Sequence, residues 1–232
     1  MSLESFTYDW PRPAVTVDCV VFGLGLDGMS VLLVRRGEEP FKGSWALPGG
    51  FVREEERLED AARRELVEET GITLSFLEQL YTFGAPERDP RGRVITVAFY
   101  ALVQELEQPP LVATGDAAEA QWFTEHKLPK LAFDHASILK LARTRLQGKV
   151  SWQPIGFDLL PRLFTLSALQ RLYEVVLKRP LDKRNFRRKV LALGLLVETD
   201  QLRRGPGRPA KLYRFDKEAY ARAEAEGFVF EL

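Results

Sequence analysis

A mixed α/β domain followed by a smaller module of two helices and a β-hairpin is the fold class that this 232-residue sequence predicts. Three observations carry it. Two β-branched, apolar runs joined by a glycine-containing turn open the chain; a helix of small and charged residues then follows a Gly/Pro-rich loop; beyond position 164, two short amphipathic stretches precede two more strand-like runs. Strands alternating with helices are the signature of α/β layers, and the last third does not continue that alternation. The length suits two domains, at roughly 100–200 residues each, and the boundary is expected in a break after residue 150, giving domains 1–150 and 151–232.

Residues 15–22 and 31–35 read as strands of a covered sheet, with 23–28 as their turn. The segment 43–51 is read as a loop. Residues 58–70 read as a helix that Gly71 terminates. Strands are expected at 77–83, 93–104 and 120–123. Asp134 is positioned to cap a helix running to about Gln147, with Gly148 as its stop. Residues 149–161, with Trp152, Pro154, Gly156 and Pro161, read as a linker. Thr165 or Ser167 then caps a helix with Leu169, Tyr173 and Val176 on one stripe, and Asp182 caps another with Phe186, Val190 and Leu193 on its core face. Residues 195–199 and 211–215 complete the module as two strands, in the order of a winged helix.

Composition excludes several classes. With 45% hydrophobic and 28% charged residues the chain has enough apolar material for cores and is not of the disordered type. No run approaches the ~18 apolar residues of a membrane span, and the first 13 residues lack a secretory pattern, so a cytoplasmic protein without membrane partners is expected. The single cysteine, Cys19, reads as a small core residue. The net charge of zero conceals a partition: residues 151–232 hold 16 Lys/Arg against 10 Asp/Glu, and residues 1–150 hold 17 against 23. A basic second half directs attention there for nucleic acid contacts.

The densest motif is Gly50, Glu56, Arg64-Glu65-Leu66, Glu68-Glu69, Gly71-Ile72, nine fixed positions within 23 residues. At ~100° per residue, Glu65, Glu68 and Glu69 share one arc of the helix. Three carboxylates on one face repel by a few tenths of a kcal/mol per exposed pair. A hard divalent cation relieves that repulsion, and oxygen-only donors point to Mg²⁺ or Mn²⁺. Arg64 is suited to orient a glutamate through a bidentate contact. The run resembles the Nudix box with no position substituted, and the resemblance implies an α/β/α sandwich with a mixed sheet and metal-assisted hydrolysis of a nucleoside diphosphate. It also implies Glu65 and Glu69 as metal ligands, Glu68 as a third ligand or a base, and the carbonyl of Gly49 as part of the shell. Arg64, Glu65 and Glu68 are thus the candidate catalytic residues. Asp116 or Glu119 is a candidate for a further carboxylate from a later loop.

Around the box, Arg88-Asp89-Pro90-Arg91-Gly92-Arg93 either closes over phosphate and ribose or forms a solvated hairpin. It resembles the same stretch of ADP-ribose-handling Nudix proteins, making Arg88 and Arg91 candidate substrate contacts. Trp45 either stacks on a base or packs in the core. His135, near a helix start, reads as structural.

In the second module, Arg184, Arg187 and Arg188 fall opposite Phe186, Val190 and Leu193, as a major-groove recognition helix requires. Lys183 and Asn185 join that face, and the hairpin tip adds Arg203, Arg204 and Arg208, set among glycines and prolines that permit close backbone approach to DNA. Trp45 to Gly50, Arg88 to Arg91, Phe133-Asp134-His135, Asp182 to Lys189 and Gly207 to Ala210 together resemble the Nudix-related transcriptional regulators of the NrtR type. That resemblance spans nearly the whole chain. It implies a homodimer with a winged helix-turn-helix on operator DNA and a Nudix domain sensing ADP-ribose or a related nucleotide; some relatives respond to pentose derivatives. Many such regulators have lost the glutamates, whereas this box is complete, so retained hydrolysis is expected. An ADP-ribose pyrophosphatase with an accessory C-terminal domain is the alternative.

Overall fold

The computed structural model describes residues 9–25, 28–74, 76–104, 111, 117–204 and 209–228. Strand β1 (Ala14–Gly25) pairs antiparallel with β2 (Gly28–Arg36) and parallel with β6 (Val94–Val103). The path through the sheet is completed by β3 (Trp45–Ala46) beyond β2 and β5 (Leu77–Phe83) beyond β6, while β4 (Gly49–Phe51) pairs with β1 and β7 (Ala117–Thr124) with β2. The sheet is therefore mixed, as the resemblance to the Nudix family implies.

Period-two alternation along β1 sends side chains to two faces. Val17, Cys19 and Val21 meet Ala61, Ala62 and Leu66 of helix α1 (Leu58–Thr70). Val20 and Phe22 meet Ile138, Leu139 and Ala142 of α2 (His135–Lys149). Two helices on opposite faces make the α/β/α sandwich. Helix α1 stops where Gly71 takes a left-handed φ of 75° and donates its N–H to Val67. Beyond this domain, α3 (Leu166–Leu177) and α4 (Lys183–Ala192) precede the hairpin of β8 (Leu196–Arg203) and β9 (Ala210–Phe215). Thr165 and Asp182 cap the two helices with their side chains, accepting from the N–H of Ala168 and Asn185.

Four expectations are corrected. The 43–51 loop contains β3 and β4, because the backbone around Leu47 and Pro48 docks onto β2 and β1 at once. Helix α2 runs through Gly148, and Asp134 makes no side-chain cap because its carboxylate is taken by Arg88. The supposed linker holds a 3-10 segment, Pro154–Leu159, whose Ile155, Phe157 and Leu159 are buried. They join Val20 and Tyr100 of the sheet and Leu172, Phe186 and Tyr213 of the second module in one apolar cluster, so the two parts share a core. A further helix, α5 (Lys217–Ala225), follows the hairpin, capped by Asp216. Among the described residues no helix is long and apolar enough to cross a membrane.

Candidate functional site

Helix α1 presents the box to a pocket of about 380 Å³. Arg64 organises its acidic wall. Its Nε and Nη2 donate to the two carboxylate oxygens of Glu56 at 2.7 and 2.8 Å, and its Nη1 donates to Glu65 at 2.6 Å and Glu68 at 3.1 Å. The bidentate partner of Arg64 is thus Glu56, a box residue whose role the spacing alone does not disclose. Those hydrogen bonds hold the Glu56 carboxyl down at about 2 and push the Arg64 guanidinium up. Glu65, on the same arginine, is pushed above the usual carboxylate range by burial, which outweighs Arg64. Glu69 is buried and accepts the Gly49 N–H at 2.8 Å.

The glycines before the helix are required by close approach. A Cβ on Gly49 would lie 2.1 Å from the Val17 carbonyl, and one on Gly50 would lie 2.4 Å from Glu65 Oε1. Backbone and carboxylates therefore approach as only glycine allows. Gly49, Glu65, Glu68 and Glu69 all line the pocket. This all-oxygen donor set fits a hard divalent cation in its chemistry. The three glutamates do not converge, however: among the described residues no group of three acidic, His or Cys side chains is arranged to hold an ion. Arg64 draws Glu65 and Glu68 to itself, and the Gly49 amide takes Glu69.

The opposite wall is a buried polar network that no local motif reveals. Asp18 of β1 faces the α2 side of the sheet, where Arg88 Nη2 and His135 Nε2 each lie 3.4 Å from its oxygens. Arg88 also donates twice to Asp134, at 3.1 and 2.8 Å. His135 Nδ1 accepts the Leu47 N–H at 2.9 Å, which puts the imidazole proton on Nε2, toward Asp18. Burial pushes the His135 pKa below its ordinary value, with Asp18 opposing. His135 thus ties α2 to the loop that carries Gly49, and it also lines the pocket. Arg88 lines the pocket too, but as a buried cation paired with Asp18 and Asp134 rather than as part of a solvated hairpin.

Arg91 stands at the rim, bound to Asp89 through Nε at 3.0 Å and Nη2 at 2.7 Å. Burial alone would raise the Asp89 pKa, yet these bonds hold it low. Two candidates fall away from the pocket. Trp45 packs edge-on against Phe123 at 4.7 Å, its apolar option, and Glu119 lies on β7 beside Arg35 at 3.6 Å. Neither lines the pocket. Asp116 lies outside the described residues.

In the second module, α4 buries Phe186 and Val190 and exposes Lys183, Arg184, Asn185 and Arg188. Asn185 Oδ1 accepts from Arg188 Nη2 at 2.8 Å, which stiffens that face. Arg187 departs from the expected stripe: it is half-buried and donates to Ser167 Oγ of α3 at 3.1 Å. Arg203 and Arg204 are exposed at the end of β8, and Arg208 lies outside the described residues.

A sandwich with a box helix over an acidic pocket, packed on a module of capped helices and a hairpin, defines a Nudix domain joined to a winged helix. The NUDIX domain family model matches residues 12–142, and the model of the NrtR DNA-binding winged helix domain matches residues 156–215. The ADPR responsive transcriptional repressor NtrR of Acinetobacter baylyi is 39% identical over 216 residues, spanning 91% of this chain and 86% of that protein. An ADP-ribose pyrophosphatase of Methanocaldococcus jannaschii is 44% identical over 129 residues, 56% of this chain and 72% of its own length. The crystal structure of Shewanella oneidensis NrtR complexed with a 27mer DNA aligns with a TM-score of 0.76 at 35% identity, covering 93% of this chain and 97% of that one. The chain belongs to the NrtR family of Nudix proteins bearing a C-terminal winged helix.

Proposed function

We propose that this protein is a DNA-binding transcriptional repressor whose Nudix domain senses ADP-ribose or a related nucleoside diphosphate. The observation that carries the reading is the pairing, in one chain with one continuous core, of a pocket walled by the box glutamates with a helix whose apolar side is buried and whose basic side is exposed. The similarity to an ADPR responsive repressor over 91% of the chain supports it. Lys183, Arg184 and Arg188 of α4 contact the major groove, with Arg203 and Arg204 placed for phosphates of the flanking backbone. Two copies acting as a homodimer set two such helices on half-sites about 34 Å apart. Domains 1–150 and 151–232 are the working units of this reading, although they share apolar contacts.

Hydrolysis of the sensed ligand is the second part of the proposal, supported by the complete box and by the similarity to an ADP-ribose pyrophosphatase. Glu65, Glu68, Glu69 and the Gly49 carbonyl would hold Mg²⁺ or Mn²⁺, which supplies charge neutralisation at the pyrophosphate and an activated water when bound. Arg64 donates to Glu65 and Glu68 and aims them along one wall, and the Gly49 N–H orients Glu69. The deciding experiment is a mobility shift on the upstream DNA of the protein's own gene, titrated with ADP-ribose and with pentoses. Retardation relieved by ADP-ribose is expected; retardation that ADP-ribose leaves intact and a pentose derivative relieves would move the reading to a sugar effector. Absence of retardation would leave the pyrophosphatase alternative, tested by release of AMP from ADP-ribose with Mg²⁺ or Mn²⁺.

A further inference from the structure

At the junction of the two domains a second cavity, of about 610 Å³, exceeds the 380 Å³ of the box pocket. Cavities of roughly 300–1,000 Å³ hold small ligands, and they favour domain junctions. No residue is common to the walls of the two. Gln104, the residue after β6, contributes one wall. Phe157 of the 3-10 segment and Leu160 beside it contribute another, and residues 214–218, which join β9 to α5, a third. The apolar part of the lining is aromatic: Phe157 and Phe215 stack with ring centres 4.3 Å apart, and Phe164 lies 5.6 Å from Phe157.

Cations and carboxylates line the cavity in equal number, but they are not equally free. Lys217 lies 3.4 Å from Asp158, and Asp216 caps α5 by accepting the Ala219 N–H at 3.0 Å. Arg162 is exposed and Arg214 half-buried, with no carboxylate bridged to either among the described residues; Glu218 is the remaining acid, and it is exposed. Two free guanidiniums against one free carboxylate favour an anion. The Gln104 Nε2 donates to the Leu160 carbonyl, which orients the amide and leaves Oε1 a buried acceptor that meets no donor among the described residues. Buried acceptors are normally met, so this one is open to a donor on an occupant. We infer that the cavity is a second ligand site, separate from the box pocket, for a small organic anion with an apolar body. The anionic group meets Arg162 and Arg214, and the body lies against the phenylalanines. Such an occupant touches both domains at once, and the site does not depend on the ADP-ribose reading.

The test uses the full chain and anilinonaphthalene sulfonate, an aromatic anion whose emission rises in apolar surroundings. Saturable binding of one probe per chain is expected, unchanged by excess ADP-ribose. Arg162→Gln combined with Arg214→Gln should weaken it by about 10-fold. Arg222→Gln removes an exposed charge from α5 outside the cavity and should bind as the wild type does. If the double variant melts early, Arg162→Gln alone, at an exposed position, decides with an expected loss of about 3-fold. Displacement of the probe by ADP-ribose, equal loss in Arg222→Gln, or wild-type affinity in the arginine variants overturns the site, as does the lack of saturable binding. If ADP-ribose itself fails to bind, the nucleotide reading falls and the arginine variants still decide this one.

Discussion

The pocket and helix α4 treat charge in opposite ways. In the walls of the pocket and directly behind them, Glu56, Glu65, Asp18, Asp89 and Asp134 all have an arginine within 3.4 Å. On α4, Lys183, Arg184 and Arg188 face outward with no carboxylate bridged to them among the described residues. Internal compensation ties the carboxylates of the cavity to neighbouring arginines and, at Glu69, to the Gly49 N–H. Uncompensated surface charge builds no cavity at all, but leaves a field that a polyanion can satisfy. On the proposed function, one region recognises a small molecule by shape and the other recognises DNA by charge and groove fit.

The largest expected effect breaks the outward half of this comparison. Arg184→Ala combined with Arg188→Ala should weaken operator binding at least 100-fold and flatten the slope of log K against log salt by ~0.9 for each phosphate that the variant no longer neutralises. ADP-ribose affinity should not change. Arg187→Ala sharpens the point: because its guanidinium leans on Ser167, its loss should fall on thermal stability before DNA affinity. Equal loss of DNA binding from Arg187→Ala alone, at unchanged melting temperature, would show that α4 docks through the side the structure turns inward.

Next comes the acidic wall. Glu69→Gln preserves an acceptor for the Gly49 N–H but removes the charge. Release of AMP from ADP-ribose should fall by about 100-fold or more, while DNA retardation persists. Simultaneous loss of both activities would mean that Glu69 supports the fold rather than the chemistry. Arg64→Ala should be felt more widely. With side chains only 15% and 14% exposed, the Arg64–Glu56 pair leaves stranded carboxylates when broken, at about 2 kcal/mol. Arg64→Lys should recover little of this in chemical denaturation, because an ammonium cannot fork. The pH dependence has a definite sign. Glu56 sits near 2 in the fold and 4.5 outside it, so its contribution is complete above pH 4.5 and is lost as pH falls toward 2.

These two regions also differ in how far the sequence discloses them. Helix α1 can be bounded from its residues because its periodicity and Gly71 are local signals, and the capped α3 and α4 are legible for the same reason. The basic face of α4 lies within six consecutive residues, 183–188. The far wall of the pocket is hidden because Asp18 meets Arg88 and His135 only after the sheet has closed, 70 and more positions away in sequence. No spacing rule joins them. Strands β3 and β4 are two and three residues long, too short for alternation to register. The 149–161 stretch misleads because prolines and glycines mark both linkers and tight packed turns; burial of Phe157 and Leu159 separates the two, and burial is not written locally.

The smallest effect concerns His135, the joint between the hidden wall and the glycine loop. Its imidazole is buried and neutral-favouring, with a pKa depressed from 6.5 chiefly by burial. The unfolded chain therefore binds more protons than the native one as pH drops below 6.5, and native stability should decline there, by at most about 1.4 kcal/mol per pH unit. Above 6.5 both states are neutral and the contribution is flat. Glu65 works with the opposite sign: burial raises its pKa, so the fold gains stability as pH falls toward that value. Comparing wild type with His135→Asn cancels the Glu65 part, since Asn can still accept the Leu47 N–H but does not titrate. Urea midpoints measured from pH 7.5 to 5.5 should fall in the wild type relative to the variant. Parallel curves would mean that the imidazole titrates alike in the folded and the unfolded chain, whereas midpoints that rise in the wild type relative to the variant as pH falls would mean an imidazolium held by Asp18 as an ion pair.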